Sequence, residues 1–566
     1  MNKAGEGKIA STETASSIQS TPLPWRTLRF WPWIAAVASG VMLAMCYAPW
    51  NKGGIVWFAL MPLVAAVWFG NSKRPFALGY VGGVVFFALT FQWLHSLGEL
   101  FQTPVLYGLP VLLALYLALY PATWCWFLAR VVAPEQNRTF PNSWRNLGLG
   151  ALSASAWTML EWVRGWMLSG FGWNGLGVAL HRDLPMIQIA EYCGVLGLTW
   201  LVAFINVMGV IIVRRLVGEL GPAFLKRIRW EFSLTISLIV VVFAFGIRVL
   251  WRKPTGNTKA VQVAAIQPNI PQEDKYDPAS EDAVFAKLAK LTGLAAATKP
   301  ELIIWPEAAV PRGVYADHVN FQFIQDITAD LPCPLLVGTL IDTSEEFEPK
   351  TYNGAVLFPA GSIDQQPPEY RKMHLVPFGE YLPLRPILGW MLGGLVRGDL
   401  DVGSDYTLLN HSSIGDFATL ICFEDTLGDL TRRFADRPDH RSPRLLINIT
   451  NDGWFLKTCG LEQHLANAVF RAVENRLPLL RCSNSGVTCL IEPNGEVDRW
   501  IEPHQEGVAF RLIQIRDRSP TFYMRWGDWI AWVSLFASLA AIARKVVVAR
   551  SAKRQADGSE ASAHAS

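Results

Sequence analysis

Long apolar runs dominate the first 250 residues and return once near the C-terminus. A bilayer crossing needs about 20 mostly apolar residues. Runs of this kind lie at 30–49, 54–70, 76–94, 104–128, 147–167, 195–213, 232–250 and 526–548, the second being the shortest. Gly and Pro interrupt several of them, as membrane helices tolerate. The sequence therefore predicts a multi-pass α-helical membrane bundle of eight spans, with a large extramembrane segment between the seventh and the eighth. Lys and Arg in short loops orient such bundles. Arg26 and Arg29, Lys73 and Arg74, Arg130 and Arg145, Arg214 and Arg215, and Arg544 and Lys545 all fall on one side if all eight spans form. The opposite loops are poorer in positive charge, with Lys52 and Arg182 as examples. Both termini are then expected in the cytoplasm and the large segment outside. A seven-span reading would break this agreement.

The expected organisation is a cytoplasmic N-terminal segment at 1–29, a seven-span bundle at 30–250 and an outward domain at 251–525. An eighth span at 526–548 and a cytoplasmic tail at 549–566 complete it, the tail reading as disordered beyond Lys553. Only 17% of the 566 residues are charged, against about 25% in soluble proteins. A net charge of +3 is too small to argue for nucleic acid. Many of the 24 tryptophans flank the apolar runs, where their rings favour the bilayer interface. The first 25 residues are polar and Ser/Thr-rich, so no cleavable signal peptide is expected. The eight cysteines form no CxxC pair and no metal-like spacing. Cys46, Cys125, Cys193 and Cys422 sit in apolar runs, where a thiol is usually filling. The sequence leaves open whether Cys459, Cys482 or Cys489 form a disulfide.

The 251–525 segment alternates strand-like and helical patterns, as an α/β domain does. Apolar, strand-like runs lie at 261–267, 302–305, 335–340, 355–358, 418–423, 445–449, 479–482 and 487–491, with helical patterns near 281–297 and 462–475. Pro359-Ala360-Gly361 and Pro493-Asn494-Gly495 read as turns.

Three segments of this domain carry chemistry. In Leu302-Ile303-Ile304-Trp305-Pro306-Glu307 a buried strand ends in a carboxylate, at the strand tip where α/β folds place their sites. Taken alone, Glu307 is more ordinarily a surface carboxylate. The stretch from Tyr370 through Lys372 to Glu380 and Tyr381 mixes charge, Gly and Pro as no regular amphipathic element does. In Ala418-Thr419-Leu420-Ile421-Cys422-Phe423-Glu424-Asp425 an apolar strand delivers a thiol and turns abruptly acidic. A lone cysteine in a strand is more often core, but the acidic pair weakens that reading. A thiol with a pKa near 8.5 attacks as thiolate and needs a base or a neighbouring cation. Glu307 can take the proton, and Lys372 can stabilise both thiolate and oxyanion. The amide of Phe423 is a natural second oxyanion donor.

These segments resemble the Glu–Lys–Cys segments of the nitrilase superfamily. Leu375-Val376-Pro377-Phe378-Gly379-Glu380-Tyr381, Asn451-Asp452-Gly453-Trp454-Phe455 and the predicted spans are similar to its membrane branch, the apolipoprotein N-acyltransferases. So are Glu161-Trp162-Val163-Arg164-Gly165-Trp166 and Gly170-Phe171-Gly172-Trp173, where Glu161 and Arg164 are either functional or an i,i+3 pair fixing a span end. Gln267-Pro268-Asn269 departs from the family's commoner Gln-Gly-Asn, and Tyr276 stands where Trp often follows Lys. The resemblance implies an αββα sandwich for the outward domain, on the periplasmic side of a bacterial inner membrane. It implies acyl transfer from a phospholipid to the α-amino group of an S-diacylglyceryl cysteine on an apolipoprotein. Glu307, Lys372 and Cys422 would be catalytic, with Glu380, Glu424 and Phe423 in support. Phe171, Trp173, Tyr276, Trp390 and Trp454 would contact lipid, and no metal or organic cofactor is required. The apolar stretch 384–396 is too short to span and reads as a lid carrying Trp390. Two alternatives remain at this stage: a membrane-anchored nitrilase-type amidase acting on a soluble amide, and a transporter or scaffold carrying an inactive domain.

Overall fold

The computed structural model describes residues 30–564 apart from 71–72, 135–139, 141, 219–228, 253–256, 316, 344–349, 362–364, 384, 393–398, 436–438, 440 and 518. Among them, the helices Pro104–Arg130, Ala190–Val217, Trp230–Trp251 and Trp529–Asp557 are long and apolar enough to cross a membrane. Pro75–Thr90 and Gln92–Phe101 add a fifth crossing if the pair, bent by 54°, counts as one. The sequence reading of eight spans is thus met by four helices, or five. The first two runs became the shorter apolar helices Trp31–Met45 and Gly53–Phe69. Most of the 147–167 run lies in Ser143–Arg164, a helix of 22 residues that is long enough but polar. It buries Asn146, Ser153, Thr158 and Arg164 among its neighbours. A hydropathy reading registers apolar content but neither the breaks in a helix nor its polar buried face.

Small residues let these helices approach closely. A Cβ on Gly40 would stand 2.4 Å from the Gly82 carbonyl, and one on Gly79 the same distance from that of Pro121. Outward, Trp230–Trp251 leaves Val240, Val241 and Phe243 exposed, a surface suited to lipid. The last helix runs Trp529–His564. It continues through the tail expected to be disordered, because Ala, Lys, Arg and Gln beyond Ser551 are good helix formers.

The 251–525 domain contains two six-stranded sheets. Its strands are β1 (Thr258–Gln267), β2 (Leu302–Ile304), β3 (Leu335–Asp342), β4 (Thr351–Phe358), β5 (Glu369–Arg371), β6 (Leu408–His411), β7 (Gly415–Ile421), β8 (Leu445–Thr450), β9 (Leu479–Ser483), β10 (Thr488–Ile491), β11 (Val497–Ile501) and β12 (Gly507–Arg516). One sheet has the order β12-β1-β2-β3-β4-β5 and the other β11-β10-β9-β8-β7-β6. In the first, β1, β2 and β3 are parallel and the flanking strands antiparallel. In the second, β7, β8 and β9 form the parallel centre.

The strands β2, β3 and β4 are buried on both faces, which is why they read as continuous apolar runs rather than alternating ones. Ala264, Ile266, Ile303 and Leu335 pack under the helices Glu281–Ala296 and His318–Ala329, burying Val284, Leu288 and Ile324. Val263, Ala265, Ile304 and Leu336 face the other way and join one core with Phe417, Ile447 and Leu480 of the second sheet. Helix Gly460–Asn475 covers that second sheet and is itself packed against the bundle helix Ala190–Gly218. The result is the expected αββα layering, with one helical layer pressed between a sheet and the membrane bundle. The unexpected elements β5, β6, β11, β12 and helix His318–Ala329 are short or have a solvent side, so no long apolar run marks them.

Candidate active site

Strand direction gathers the three chemical segments. β5 is antiparallel to β4, which is antiparallel to β3, so β2, β3 and β5 all point the same way. Glu307, just beyond β2, and Lys372, directly after β5, therefore leave the sheet at one edge. Asn353 near the start of antiparallel β4 lies at that edge too. From the facing sheet, β7 ends at Ile421 and hands over Cys422.

The charges are buried and closely wired. Lys372 is 1% exposed, and its Nζ lies 3.5 Å from Glu307 Oε1 and donates to Glu380 Oε1 at 2.9 Å. Asn353 donates to both carboxylates, at 2.7 Å to Glu307 Oε1 and 2.7 Å to Glu380 Oε1. Glu307 Oε2 accepts the Asn451 amide at 2.7 Å, and Glu380 Oε2 accepts that of Val376 at 2.8 Å. Burial works against the Lys372 ammonium, but Glu380 and Glu307 outweigh it and hold its pKa above the ordinary lysine value. A permanently charged ammonium between two carboxylates is the outcome.

Cys422 sits at φ 51°, in the left-handed region that a side chain adopts at a cost of about 1–2 kcal/mol. That turn lifts the half-buried thiol out of the strand line. Burial pushes its pKa well above the usual thiol range, Glu307 adds to that and Lys372 opposes it. The resting thiol is therefore neutral, and attack by it would require a base at the moment of reaction.

Glu424 fastens the two halves together. Its Oε1 accepts Tyr370 Oη at 2.9 Å, the Met373 amide at 2.8 Å and the His374 amide at 3.1 Å, while Oε2 accepts the Ile421 amide at 2.8 Å. One buried carboxylate thus fixes the backbone just after Lys372 to the backbone just before Cys422. Burial raises its pKa to about 7.

Behind Cys422 lies a buried ionic cluster that the sequence reading missed. Both ring nitrogens of His464 face carboxylates, Nδ1 at 3.0 Å from Asp452 and Nε2 at 2.9 Å from Asp425. Arg481 lies 3.0 Å from Asp452. Burial and Arg481 lower the His464 pKa, but Asp425 and Asp452 prevail and raise it to about 9. Also missed was Lys275, 1% exposed, whose Nζ donates to the Glu307 carbonyl at 2.8 Å. Burial lowers its pKa to about 8.

Of the expected lipid-contacting residues, Phe171 and Trp173 come from the bundle and stack on Phe423, at 6.4 and 5.9 Å between ring centroids. His374 stacks on the same ring at 5.7 Å. Trp454 is half-buried and packs on Phe101 at 5.8 Å. Trp390, on helix Arg385–Leu392, is 86% exposed. Its helix presents the ring to the surface. The Leu388 and Leu392 side chains, with Gly393 and Gly394, lie outside the described residues, as does the Tyr276 side chain. Gln267 Nε2 donates to the Glu502 and Gln505 carbonyls at 2.8 and 2.9 Å.

Glu161 and Arg164 do not form the i,i+3 pair that was one expectation. Glu161 accepts from Thr199 at 2.6 Å, from Trp157 at 3.1 Å and from the Leu176 amide at 3.0 Å. Arg164 instead lies over the Phe87 ring at 5.4 Å. All eight cysteines are free, so Cys459, Cys482 and Cys489 are unpaired.

Family models match both the helical bundle and the two-sheet domain. The family model of the apolipoprotein N-acyltransferase N-terminal domain matches residues 39–208, and that of carbon-nitrogen hydrolase matches 262–521. An apolipoprotein N-acyltransferase of Geobacter metallireducens is 32% identical, covering 90% of this chain and 95% of its own. One of Vibrio cholerae is 30% identical over 90% of this chain and 96% of its own. A solved amidase of the nitrilase superfamily from Nesterenkonia AN1 is 17% identical with a TM-score of 0.34, covering 48% of this chain and 95% of its own. With two family models in tandem and relatives matched over nearly their whole length, the chain belongs to the apolipoprotein N-acyltransferase family of the nitrilase superfamily.

Proposed function

We propose that this protein moves an acyl chain from a membrane phospholipid to the α-amino group of the S-diacylglyceryl cysteine of an apolipoprotein, through a thioester on Cys422. Glu307 takes the thiol proton as sulfur attacks the ester carbonyl. Lys372 and the Phe423 amide stabilise the oxyanion, a contribution of a few kcal/mol. The tetrahedral intermediate collapses, the C–O bond breaks and Glu307 protonates the departing lysophospholipid oxygen. The lipoprotein amine then attacks the thioester, Glu307 accepts its proton, and the Cys422 thiol is restored as the amide forms. Glu380 and Glu424 position Lys372 and Cys422 and stay outside the bond changes. No metal or organic cofactor takes part.

One observation carries this reading: the residue next to the nucleophile, Phe423, stacks on Phe171 and Trp173 of the membrane bundle. A nucleophile walled by the bundle suits a substrate arriving from lipid, and a dry wall protects a thioester from hydrolysis. The same reading puts the protein in a bacterial inner membrane, with the 251–525 domain on the periplasmic side and both termini cytoplasmic. Incubation with phospholipid and a diacylglyceryl-cysteinyl peptide tests it by product mass. Lysophospholipid and a peptide heavier by one acyl group support transfer. Free fatty acid with unmodified peptide, or hydrolysis of soluble amides in its place, would favour the amidase alternative.

A further inference from the structure

Lys275 lies in the short turn Asp274–Tyr276, on the loop that leaves β1, and is 1% exposed. Its ammonium has three N–H donors. One goes to the Glu307 carbonyl at 2.8 Å, and no carboxylate stands within ion-pair distance of Nζ among the described residues. A cation buried this deeply without a paired carboxylate is costly, and the mechanism above gives it no part.

The loop that carries Lys275 is tied down and reaches Glu307 from two directions. The Asn269 amide donates to the Asn484 carbonyl at 2.8 Å, and Asn484 Nδ2 donates back to the Ile270 carbonyl at 2.8 Å. Gln272 Oε1 accepts from Asn451 Nδ2 at 2.8 Å, and the Asn451 amide donates to Glu307 Oε2 at 2.7 Å. One route from the loop thus ends on the Glu307 carboxylate and the other, through Lys275, on its carbonyl. The backbone between them has little freedom. A Cβ on Gly338 would stand 2.3 Å from the Pro306 carbonyl and 2.7 Å from Glu307 Cα, so β3 presses directly on this segment. Ala308, next in the chain, takes φ 45°, in the left-handed region.

The ammonium so fixed stands in electrostatic reach of both Glu307 and Cys422, each of which favours its charged form against burial. The other charges facing the pair are Lys372 with Glu380 from the segment after β5, Asp452 after β8 and Arg481 on β9. Glu424, beside Cys422, is engaged by backbone amides, and His464 by Asp425 and Asp452. In the proposed reaction Glu307 and Cys422 exchange one proton, so their ionisation belongs to the pair. A cation beside them favours the deprotonated pair, whichever member carries the negative charge.

Given the roles proposed above for Glu307 and Cys422, we infer that Lys275 is a positioning residue whose ammonium, anchored on the Glu307 carbonyl, lets this pair act at lower pH than it otherwise would. Lys275 touches no reacting atom and works only through the two groups it faces. Burial brings its own pKa down to about 8, so the help fades above that pH.

The test follows alkylation of Cys422 by iodoacetamide on the full-length enzyme in detergent, from acid to alkaline pH, with the modified residue located by peptide mass. Lys275→Met keeps the length of the side chain and removes its charge. The acid limb of its pH–rate profile is expected about one unit higher than that of wild type, a loss of about tenfold below the limb. Asn451 and the Gly338 contact still hold Glu307 in this variant, so its rate should meet that of wild type above about pH 8. A limb that stays in place, or a fall by one factor at every pH, overturns the inference and leaves Lys275 a structural residue. If Lys275→Met fails to fold, Lys275→Gln decides in its place, with the same shift expected. If neither folds, the role is structural and the inference falls. The proposed function fails separately, if wild type shows the expected profile yet never takes an acyl group from phospholipid.

Discussion

Replacing Glu380 by Gln isolates what the second carboxylate does for Lys372. The buried ammonium donates to Glu380 Oε1 at 2.9 Å and otherwise faces Glu307 Oε1 at 3.5 Å. Two unit charges at that shorter separation interact by roughly 6 kcal/mol at an effective dielectric constant of 20. Gln keeps an oxygen for the ammonium or for the Val376 amide, so much of the hydrogen bonding survives. Breaking one side of a buried ion pair typically costs about 3–5 kcal/mol. A net loss of about 3 kcal/mol is reasonable after that partial recovery. On the proposed mechanism the loss falls on catalysis, because Lys372, deprived of Glu380, is drawn onto Glu307 and ties up the base proposed to take the Cys422 proton. At about 1.4 kcal/mol per decade, the acylation rate should drop roughly 100-fold. Single-turnover acylation by phospholipid, quenched and read by intact mass, measures it, with a melting curve to show that the variant is folded. A folded Glu380→Gln enzyme acylating within threefold of wild type would refute the reasoning.

His464 makes stability pH-dependent with a definite sign. Its folded pKa is raised to about 9 from an ordinary 6.5, so its contribution is complete below pH 6.5 and lost as pH rises through 9. The shift corresponds to about 3 kcal/mol at most. The melting temperature of wild type should therefore fall across that window more steeply than that of His464→Gln, and parallel curves would be the contrary result. Trp390, exposed on helix Arg385–Leu392, should tolerate Ser with no change in melting temperature. If the helix is a lid at the bilayer surface, Trp390→Ser slows acylation from vesicles yet not from detergent micelles. Equal rates from vesicles would remove the lid role.

Much of the domain was legible because its central strands are buried on both faces and end abruptly in polar residues. The segments carrying Glu307, Lys372 and Cys422 stood out for that reason. Asn353 did not, although one polar residue inside the strand Thr351–Phe358 is a signal that something nearby needs a hydrogen bond. Lys275 was passed over beside Tyr276, since a lysine in a polar loop normally faces water. Helix 462–475 was recognised as a helix, but its polar side was not recognised as buried. Gln463, His464, Asn467, Arg471 and Glu474 are all shielded, because a second protein layer stands where water usually would. The bundle was less legible. Hydropathy registers apolar runs, and neither the 54° bend after Thr90 nor the shortness of Trp31–Met45 is visible to it.

The most direct measurement is the mass of the enzyme after exposure to phospholipid alone. Wild type should gain one acyl group on Cys422, in a bond cleaved by neutral hydroxylamine, and should lose it when a diacylglyceryl-cysteinyl peptide is added. Cys422→Ala, folded, should gain nothing. An adduct of equal yield on Cys422→Ala, or peptide acylation proceeding without Cys422, would contradict the thioester at the centre of the mechanism.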